Sequence, residues 1–252
     1  MQIVLLTALG VGGATVLGAA IGFLFKASSR RVSDIILSVA AGVMLSAAMT
    51  GLILPSLEYG GRFALLTTIA GVFTGAVLLD LMNRAVPHIC KASGVDITSC
   101  PEKHARISKV LLFVLAIAIH NLPEGIAAGV GFGTGNTAEA MTVAMGIAMQ
   151  NIPEGMVIIA PMLASGISRG RTFLVALGTG LIEVVGTFVG YFAVSLSQAI
   201  LPFALAFAGG TMIYVISDEM IPETHSEGEA QGITYALLAG FCLMLAMSYL
   251  MA

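Results

Sequence analysis

Long apolar runs, separated by short polar connectors, dominate the hydropathy pattern of the chain. A helix needs about 20 mainly apolar residues to cross a bilayer, and lipid leaves backbone groups no partners outside their own segment. The pattern therefore predicts an all-α polytopic membrane protein, with one transmembrane domain over residues 1–252. Its eight predicted spans cover residues 3–25, 34–55, 63–82, 109–130, 139–163, 172–197, 203–221 and 231–251.

The composition agrees with this fold class. The chain is 58% hydrophobic and 10% charged, whereas a soluble domain is about 25% charged. No positively charged segment precedes the first apolar run, so we interpret it as a spanning helix rather than a cleaved signal peptide. The three cysteines, an odd number, argue against a disulfide framework.

Basic residues divide unequally between the two sides of the predicted bundle. Connectors that follow the odd-numbered spans contain ten of the 11 lysines and arginines, and Arg62 is the exception. The positive-inside rule assigns the basic side to the cytoplasm. Because the number of spans is even, both termini are predicted to face outward. Residues 83–108, between the third and fourth spans, are the only sizeable loop and are predicted to be cytoplasmic.

Ligand-type residues in that loop admit two interpretations. His88, Cys90, Cys100 and His104 suggest a zinc site. Their separations do not match a standard zinc ribbon or finger. A polar loop with scattered ligand-type residues is the favoured interpretation, with metal binding left open.

An internal echo relates the second span to the seventh. Residues 41–44 read AGVM and are followed by Pro55 and Glu58, whereas residues 209–212 read GGTM and are followed by Pro222 and Glu223. The two spans cross the bilayer in opposite directions, as an inverted repeat requires. The pattern predicts a repeat of spans one to three by spans six to eight, although two glycine-rich helices ending at prolines would also produce it.

Two similar motifs place polar residues inside apolar spans. Residues 120–125 read HNLPEG, and residues 150–155 read QNIPEG. The Gly-rich turn GFGTGN joins the two spans, and His120 and Gln150 are about equally far from it, so an antiparallel hairpin brings both motifs to similar depth. Residues four apart share a helical face, which pairs His120 with Glu124 and Gln150 with Glu154.

Charge and backbone chemistry favour a cation at this depth. An ionisable residue at the bilayer centre costs about 2.5–3.5 kcal/mol. Glu124, Glu154 and Glu183 have no lysine or arginine as partner in the interior of spans four to six, where Lys109 stands only at the first position of span four. Pro123 and Pro153 remove helical partners from carbonyls, which a cavity, water or an ion can satisfy. A single kinked helix with a hydrated carboxylate would not explain two matched copies. Imidazole with carboxylate and amide oxygens suits Zn²⁺, with Fe²⁺, Mn²⁺ or Cd²⁺ as alternatives.

Other polar candidates lie outside the two motifs. Met44 could line an entrance, although methionine more often fills a core. Asp80 and Arg84 are four apart and are predicted to form a local ion pair. Four residues at the cytoplasmic end of the seventh span could receive a released cation, and solvated helix-end residues are the alternative: Asp218, Glu219, Glu223 and His225.

The paired PEG motifs, on the fourth and fifth of eight spans, closely resemble those of the ZIP (Zrt/Irt-like) metal transporters, nearest to the bacterial ZupT/GufA-like branch. GLIEVVG, with Glu183, resembles the family's additional acidic ligand. The resemblance implies a binuclear metal centre in a ZIP-type helical bundle. One metal position would use His120, Glu124, Gln150 and Glu154. The second would use Asn121, Glu124, Asn151, Glu154 and Glu183, with the two glutamates bridging.

The resemblance also implies motion and location. Spans 1, 4, 5 and 6 would move as a unit against spans 2, 3, 7 and 8. Small residues would suit a sliding interface between the units: Gly42, Ala47, Gly51, Gly209 and Gly210. A bacterial inner membrane is the expected location.

The expected function is therefore transport of Zn²⁺, with Fe²⁺, Mn²⁺ or Cd²⁺ as further candidates, into the cytoplasm by alternating access. The metal would be a substrate, with no prosthetic group, no enzymatic activity and no nucleic-acid partner. A passive cation channel with a glutamate selectivity ring is the first alternative. A metal-dependent intramembrane hydrolase is the second, although the chain lacks a His-Glu-x-x-His helix. The sequence leaves open whether the chain forms a homodimer.

Overall fold

The structure is a computed structural model that describes residues 1–24, 30–92, 119, 121–164, 166–225 and 230–251. Its regular secondary structure over these residues is helical. The ten α-helices are α1 (Gln2–Leu24), α2 (Arg30–Ala47), α3 (Leu54–Tyr59), α4 (Ala64–Ala92), α5 (residues 121–131), α6 (Thr137–Ala164), α7 (Arg169–Leu196), α8 (Leu201–Val215), α9 (Ile221–Thr224) and α10 (Ala230–Met251).

The described residues contain seven helical stretches that are long and apolar enough to cross a membrane. The stretches over residues 31–59 and 201–224 each combine two α-helices with a π-helical segment between them. For the fourth predicted span, 109–130, only residue 119 and residues 121–130 are described, and they are helical. The prediction of an all-α membrane protein is confirmed.

Helix α4 is longer than its apolar run suggests. It continues to Ala92, so residues 83–92 are helical and the prediction of a loop beginning at residue 83 is wrong. Hydropathy marks where a helix stops facing lipid, whereas a helix can continue into water beyond that point. The rest of the predicted loop, 93–108, lies outside the described residues. Asp80 and Arg84 form the predicted ion pair, with Arg84 Nη2 2.9 Å from Asp80 Oδ2.

Two π-helical segments, Ala48–Ile53 and Ile216–Met220, precede the prolines that were expected to end spans two and seven. The Leu54 N–H donates to the carbonyl of Met49, five residues earlier. Ile221 donates to Ile216 in the same way. A proline lacks an N–H, and its ring crowds the carbonyl four residues before it. Shifting the local bonding to a spacing of five lets each helix run past its proline.

Glycines bring α2 against α10, and α4 against α8. A Cβ on Gly42 would lie 1.9 Å from the carbonyl oxygen of Leu237, and one on Gly240 would lie 2.1 Å from that of Val39. Helices α4 and α8 pack in the same way. A Cβ on Gly210 would lie 2.3 Å from the Val72 oxygen, and one on Gly75 would lie 2.2 Å from the Phe207 oxygen.

These contacts have the exchange symmetry that the predicted repeat requires. Gly42 and Gly210 take equivalent places, as do Gly75 and Gly240. Helices α1 and α7 exchange with one another, because a Cβ on Gly12 would lie 2.3 Å from the oxygen of Gly180, and one on Gly180 would lie 2.4 Å from that of Gly12. The two halves of the bundle therefore pack by the same rules.

The same exchange relates the two PEG helices. A Cβ on Gly18 of α1 would lie 2.0 Å from the Ile152 oxygen of α6. At the equivalent position of α7, a Cβ on Gly186 would lie 2.5 Å from the Leu122 oxygen of α5. Helix α1 thus packs on α6 as α7 packs on α5.

The bundle divides into two groups by the kind of contact. We call α1, α5, α6 and α7 the site group. The frame group consists of α2, α3, α4, α8, α9 and α10 together with the two π-helical segments, Ala48–Ile53 and Ile216–Met220. Within each group, glycines let helix backbones touch, as described above. At two glycines between the groups, an added Cβ would first meet a side chain: Gly51 meets Val143, and Gly146 meets Met244.

This division corrects part of the expected sliding interface. Gly42 and Gly210 join helices inside the frame group, and Gly209 faces Ile53 of the same group. These three residues hold the frame together. Ala47 and Gly51 do lie between the groups, because a Cβ on Gly146 would be 3.2 Å from Ala47 Cβ, and one on Gly51 would be 2.4 Å from Val143 Cγ2.

Replacing Gly240 by alanine should destabilise the protein, because its Cβ would overlap the Val39 carbonyl oxygen at 2.1 Å. Overpacking of this kind costs about 1–3 kcal/mol, and each kcal/mol lowers the melting temperature by about 2–4 °C. Gly232→Ala on the same helix is the matched control, since nothing lies within 4 Å of its Cβ. Melting of the purified variants in detergent measures the difference, and equal melting temperatures would contradict the packing described.

Candidate metal centre

Helices α5, α6 and α7 bring six polar residues of the predicted site into the interior. Each is at most 6% exposed. Asn121 and Glu124 come from α5, Glu183 comes from α7, and α6 contributes Gln150, Asn151 and Glu154. The hairpin prediction is confirmed, since a short turn with a 3-10 segment, Phe132–Thr134, and Gly135 at φ +76° connects α5 to α6.

Glu183 accepts hydrogen bonds from three helices. Its Oε1 accepts from the Thr15 hydroxyl at 2.5 Å and from Asn121 Nδ2 at 2.5 Å. Its Oε2 accepts from Asn151 Nδ2. The Asn151 nitrogen also donates to the Val11 carbonyl oxygen at 3.2 Å. Buried charges need such donors to offset the loss of water, and here they tie α1, α5 and α6 to α7.

A further hydrogen bond joins one PEG motif directly to the other. Gln150 Nε2 donates to Glu124 Oε1 at 2.8 Å. Since an ionised carboxylate only accepts hydrogen bonds, the amide nitrogen of Gln150 must face Glu124. The amide oxygen of Gln150 is thereby directed elsewhere.

The glycine of each PEG motif lets another helix approach closely: α7, with Glu183, approaches Gly125, and α1, with Thr15, approaches Gly155. A Cβ on Gly125 would lie 2.2 Å from the backbone oxygen of Glu183. A Cβ on Gly155 would lie 2.1 Å from that of Thr15. Any side chain at these positions would push α7 or α1 away, so the motif includes glycine because helix backbones touch there.

Several buried oxygen atoms have no hydrogen-bond donor among the described residues, and four of them belong to Asn121, Glu124, Gln150 and Asn151 of the predicted site. These four are Asn121 Oδ1, Glu124 Oε2, Gln150 Oε1 and Asn151 Oδ1. An unsatisfied buried acceptor costs about 1–3 kcal/mol, which a cation bound by these oxygens would offset. Over the described part of the chain, no three His, Cys, Asp or Glu side chains are grouped so as to hold a metal ion by themselves. The donor set therefore combines carboxylate with amide oxygens.

Comparison with known proteins assigns the family. Residues 88–248 match the family model described as ZIP Zinc transporter. The chain belongs to the ZIP family. It is 39% identical to "Zinc transporter GufA" of Myxococcus xanthus over 96% of both chains. It is 39% identical to "Zinc transporter ZIPB" of Bordetella bronchiseptica, over 92% of this chain and 76% of that one. Identity to "Zinc transporter ZupT" of Chlorobaculum parvum is 32%, over 92% and 91% of the two chains.

The structure brings together those predicted ligands of this ZIP protein that lie within the described residues. His120 lies outside the described residues, and its role stays a prediction. Helix α6 continues through Pro153 from Thr137 to Ala164, so that proline does not end the helix. Metal ligation itself also stays a prediction for Asn121, Glu124, Gln150, Asn151, Glu154 and Glu183.

The predicted pathway residues of this ZIP protein, outside the two PEG motifs, differ in burial and in hydrogen bonding. Met44 is fully buried in the main apolar cluster. Glu219 accepts from Asn83 Nδ2 at 3.0 Å, and His225 Nδ1 donates to the Ile221 oxygen at 3.0 Å. Asp218 and Glu223 are exposed. His88 falls in helix α4, and His104 lies outside the described residues.

Sequence reasoning missed Thr15 and the backbone oxygen of Val11. Both lie on α1, which contains no charged residue and no motif. A signal was present in the repeat, because Thr15 precedes Glu183 by 168 residues, the separation that also relates Gly12 to Gly180 and Gly42 to Gly210. Thr15 is thus the repeat counterpart of Glu183. The sequence echo between the second and seventh spans does not include either residue, so it did not reveal this relation.

Asn151→Asp should destabilise the protein at neutral pH in the presence of a chelator. The change replaces the nitrogen that donates to Glu183 Oε2 by an oxygen, so that two buried carboxylates would face each other. A buried charge that loses its compensating partner typically costs about 3–5 kcal/mol. Asn136→Asp is the matched control, since Asn136 Nδ2 also donates to a carboxylate, that of Glu139 at 2.7 Å, but Asn136 is exposed to solvent. Melting in detergent tests this, and a melting temperature for Asn151→Asp no lower than the control's would contradict the assignment.

Proposed function

We propose that this ZIP protein transports Zn²⁺ across the membrane into the cytoplasm, and that the buried oxygens of the two PEG motifs bind the cargo. The observation that supports this most is the group of buried oxygens on Asn121, Glu124, Gln150 and Asn151 that have no donor among the described residues. The relatives GufA, ZIPB and ZupT are named zinc transporters, which supports zinc as the cargo.

The chemistry of the proposed site suits a cation that must be both bound and released. Glu124 and Glu154 supply negative charge that replaces the water shell of the ion. Amide oxygens of Asn121, Gln150 and Asn151 add neutral ligands. Hard cations such as Mg²⁺ and Ca²⁺ accept an all-oxygen shell, so selection of Zn²⁺ over them depends on the imidazole predicted at His120. Fe²⁺, Mn²⁺ and Cd²⁺ remain candidate cargoes.

Alternating access is the proposed mechanism. Glycines let helix backbones touch within the site group, and they join α2 to α10 and α4 to α8 within the frame group. These contacts favour movement of joined helices together. Contacts between the groups involve side chains, as at Gly51 and Val143 or Gly146 and Met244. Side chains can change rotamers as one group moves past the other, whereas backbone contacts cannot adjust in this way. This arrangement supports movement of the site group, with its bound cation, against the frame group.

A surface pocket supports an entrance between the groups. Its lining includes Thr50, Gly51 and Ser248 of the frame group, with Glu139 and Thr142 of the site group. These residues lie near connectors with few basic residues, on the side that the charge distribution predicts to be outward. We place release at the opposite end, near Asp218, Glu219, Glu223 and His225. With the basic connectors in the cytoplasm, both termini face outward across a bacterial inner membrane.

Removing either central carboxylate should abolish most transport. Glu124→Ala and Glu154→Ala should each reduce ⁶⁵Zn uptake into proteoliposomes by at least about tenfold, since even groups that only orient a metal ligand contribute about 10–100-fold. Glu58→Ala is the control, because Glu58 is an exposed glutamate on α3 that does not line the pocket described above. Undiminished uptake in both variants would refute the assigned site. Saturable uptake with competition among transition metals supports a carrier, whereas uptake linear in zinc concentration would show a channel.

Acid should weaken zinc binding and uptake. Metal ligands must be deprotonated to bind, so protons compete with Zn²⁺ for Glu124 and Glu154 as the pH falls. We expect a higher half-saturating zinc concentration at pH 5.5 than at pH 7.5. The pH is kept equal on both sides of the vesicle membrane, so that no proton gradient contributes. Equal half-saturating concentrations at both values would contradict carboxylate ligation.

A further inference from the structure

Tyr59, the last residue of α3, reaches from the frame group to the site group at the end of the bundle that we place outward. Its hydroxyl lies 3.4 Å from Glu139 Oε2 and 3.5 Å from the Thr134 carbonyl oxygen. Thr134 belongs to the turn between α5 and α6, and Glu139 lies in the first turn of α6. The Tyr59 hydroxyl can therefore donate to either acceptor across the boundary between the two groups.

Buried hydrogen bonds fix α3 within the frame group. Ser56, on the turn before Tyr59, is fully buried. It donates to the Pro202 carbonyl oxygen at 2.7 Å, and it accepts from the Thr68 hydroxyl at 2.7 Å. These two bonds tie α3 to α8 and to α4, because Pro202 lies on α8 and Thr68 lies on α4. Tyr59 is therefore held at a defined place on the frame group.

Asn136 holds the acceptors on the site group. Its Nδ2 donates to Glu139 Oε1 at 2.7 Å, and its Oδ1 accepts from the Ala138 N–H at 3.0 Å, as a residue that caps a helix N-terminus does. Its own N–H donates to the Thr134 hydroxyl at 3.1 Å. One residue thus orders the turn and turns the second oxygen of Glu139, Oε2, toward Tyr59.

The path inward from this contact is closed in the structure. Glu139 lines the surface pocket between the groups, together with Gly51. One helical turn deeper than Glu139, Val143 is 1% exposed. A Cβ on Gly51 would lie 2.4 Å from Val143 Cγ2, so the two groups touch below the pocket. The Tyr59 contact therefore exists in a conformation whose outer mouth is shut.

The strength of the Tyr59 contact suits a bond that breaks in each transport cycle. Its distances are longer than those of most hydrogen bonds, and Tyr59 is 39% exposed, so water can compete for the same groups. A hydrogen bond within a protein changes an equilibrium constant by about twofold to tenfold after this competition. Such a contact biases the mouth toward closure without preventing it from opening.

We propose that Tyr59 is a latch on the outer mouth: its hydrogen bond to Glu139 or to the Thr134 carbonyl holds the frame group and the site group together while the mouth is closed. The bond breaks when the site group moves and the mouth opens. The proposal rests on the alternating access of the proposed function, and it adds the contact that regulates opening at one end.

Cysteine accessibility tests the latch. Thr142 lines the pocket and is 7% exposed, so a Thr142→Cys protein in lipid nanodiscs should react with a polar maleimide mainly when the mouth opens. Labelling of the protein without Thr142→Cys is subtracted. We expect Tyr59→Phe, which removes only the hydroxyl, to raise the labelling rate about threefold. Tyr249→Phe is the matched control, since Tyr249 is 82% exposed near the end of α10. Equal rates with and without Tyr59→Phe would overturn the proposal.

A variant with the opposite expected effect separates a latch from ordinary packing. Tyr59→Arg places a cationic donor beside the Glu139 carboxylate, and hydrogen bonds between charged groups are stronger than neutral ones. We expect Tyr59→Arg to label more slowly than the original protein, and Glu139→Ala to remove most of the difference between Tyr59→Arg and Tyr59→Phe. Faster labelling in both Tyr59 variants would show a packing role and overturn the proposal.

The labelling experiment is independent of the cargo. It is done with a chelator and without Zn²⁺, so its result does not depend on which residues bind the metal. Undiminished zinc uptake in Glu124→Ala and Glu154→Ala would refute the assigned site and leave the latch standing. Unchanged labelling in Tyr59→Phe, with uptake lost in both alanine variants, would refute the latch alone.

Discussion

Burial of the carboxyl groups of Glu124 and Glu183, which hydroxyl and amide groups hold by hydrogen bonds, is the constraint on which this structure depends. Helices α5 and α6 contain no lysine or arginine, and those of α7 lie at its first residues, Arg169 and Arg171. Glu183 is stabilised by hydroxyl and amide donors from three other helices. Glu124 is stabilised in part by Gln150. The acids thus determine which helices must meet, and the unsatisfied oxygens beside them determine what the protein can bind.

Glycine makes that meeting possible. The donors to Glu183 are short side chains, so they reach it only if helix backbones nearly touch. Gly125 and Gly155 allow this for the helices that carry Glu183 and Thr15. The close contacts then continue along the same helices through Gly18 and Gly186. Hydrogen bonding of the buried Glu183 carboxyl group therefore depends on glycines, because only a residue without a side chain lets these helices come close enough.

Much of this arrangement could be predicted from sequence. Spans were visible because lipid demands length and hydrophobicity, and the two PEG motifs identified the α5–α6 hairpin because connectivity alone brings them together. Thr15 could not be predicted from α1, since a threonine among apolar residues has many possible reasons to be there. The predicted end of α4, at residue 82, was wrong because the change from apolar to polar residues marks the membrane boundary and not the end of the helix. Gly42 and Gly210 were given to the wrong interface because glycine patterns show close packing without showing the partner.

The π-helical segments have a consequence for how the two halves of the chain have diverged. Up to these segments, equivalent residues keep one constant separation in the sequence, as Gly12 and Gly180 do. Ala48–Ile53 has one residue more than Ile216–Met220, so the separation between Pro55 and Pro222 is shorter by one. The extra residue was absorbed as a wider helical turn, and the helix beyond it kept its place in the bundle. Two spans of one bundle can thus differ by one residue in length and still hold equivalent places, when the difference falls where a proline has already shifted the backbone hydrogen bonds.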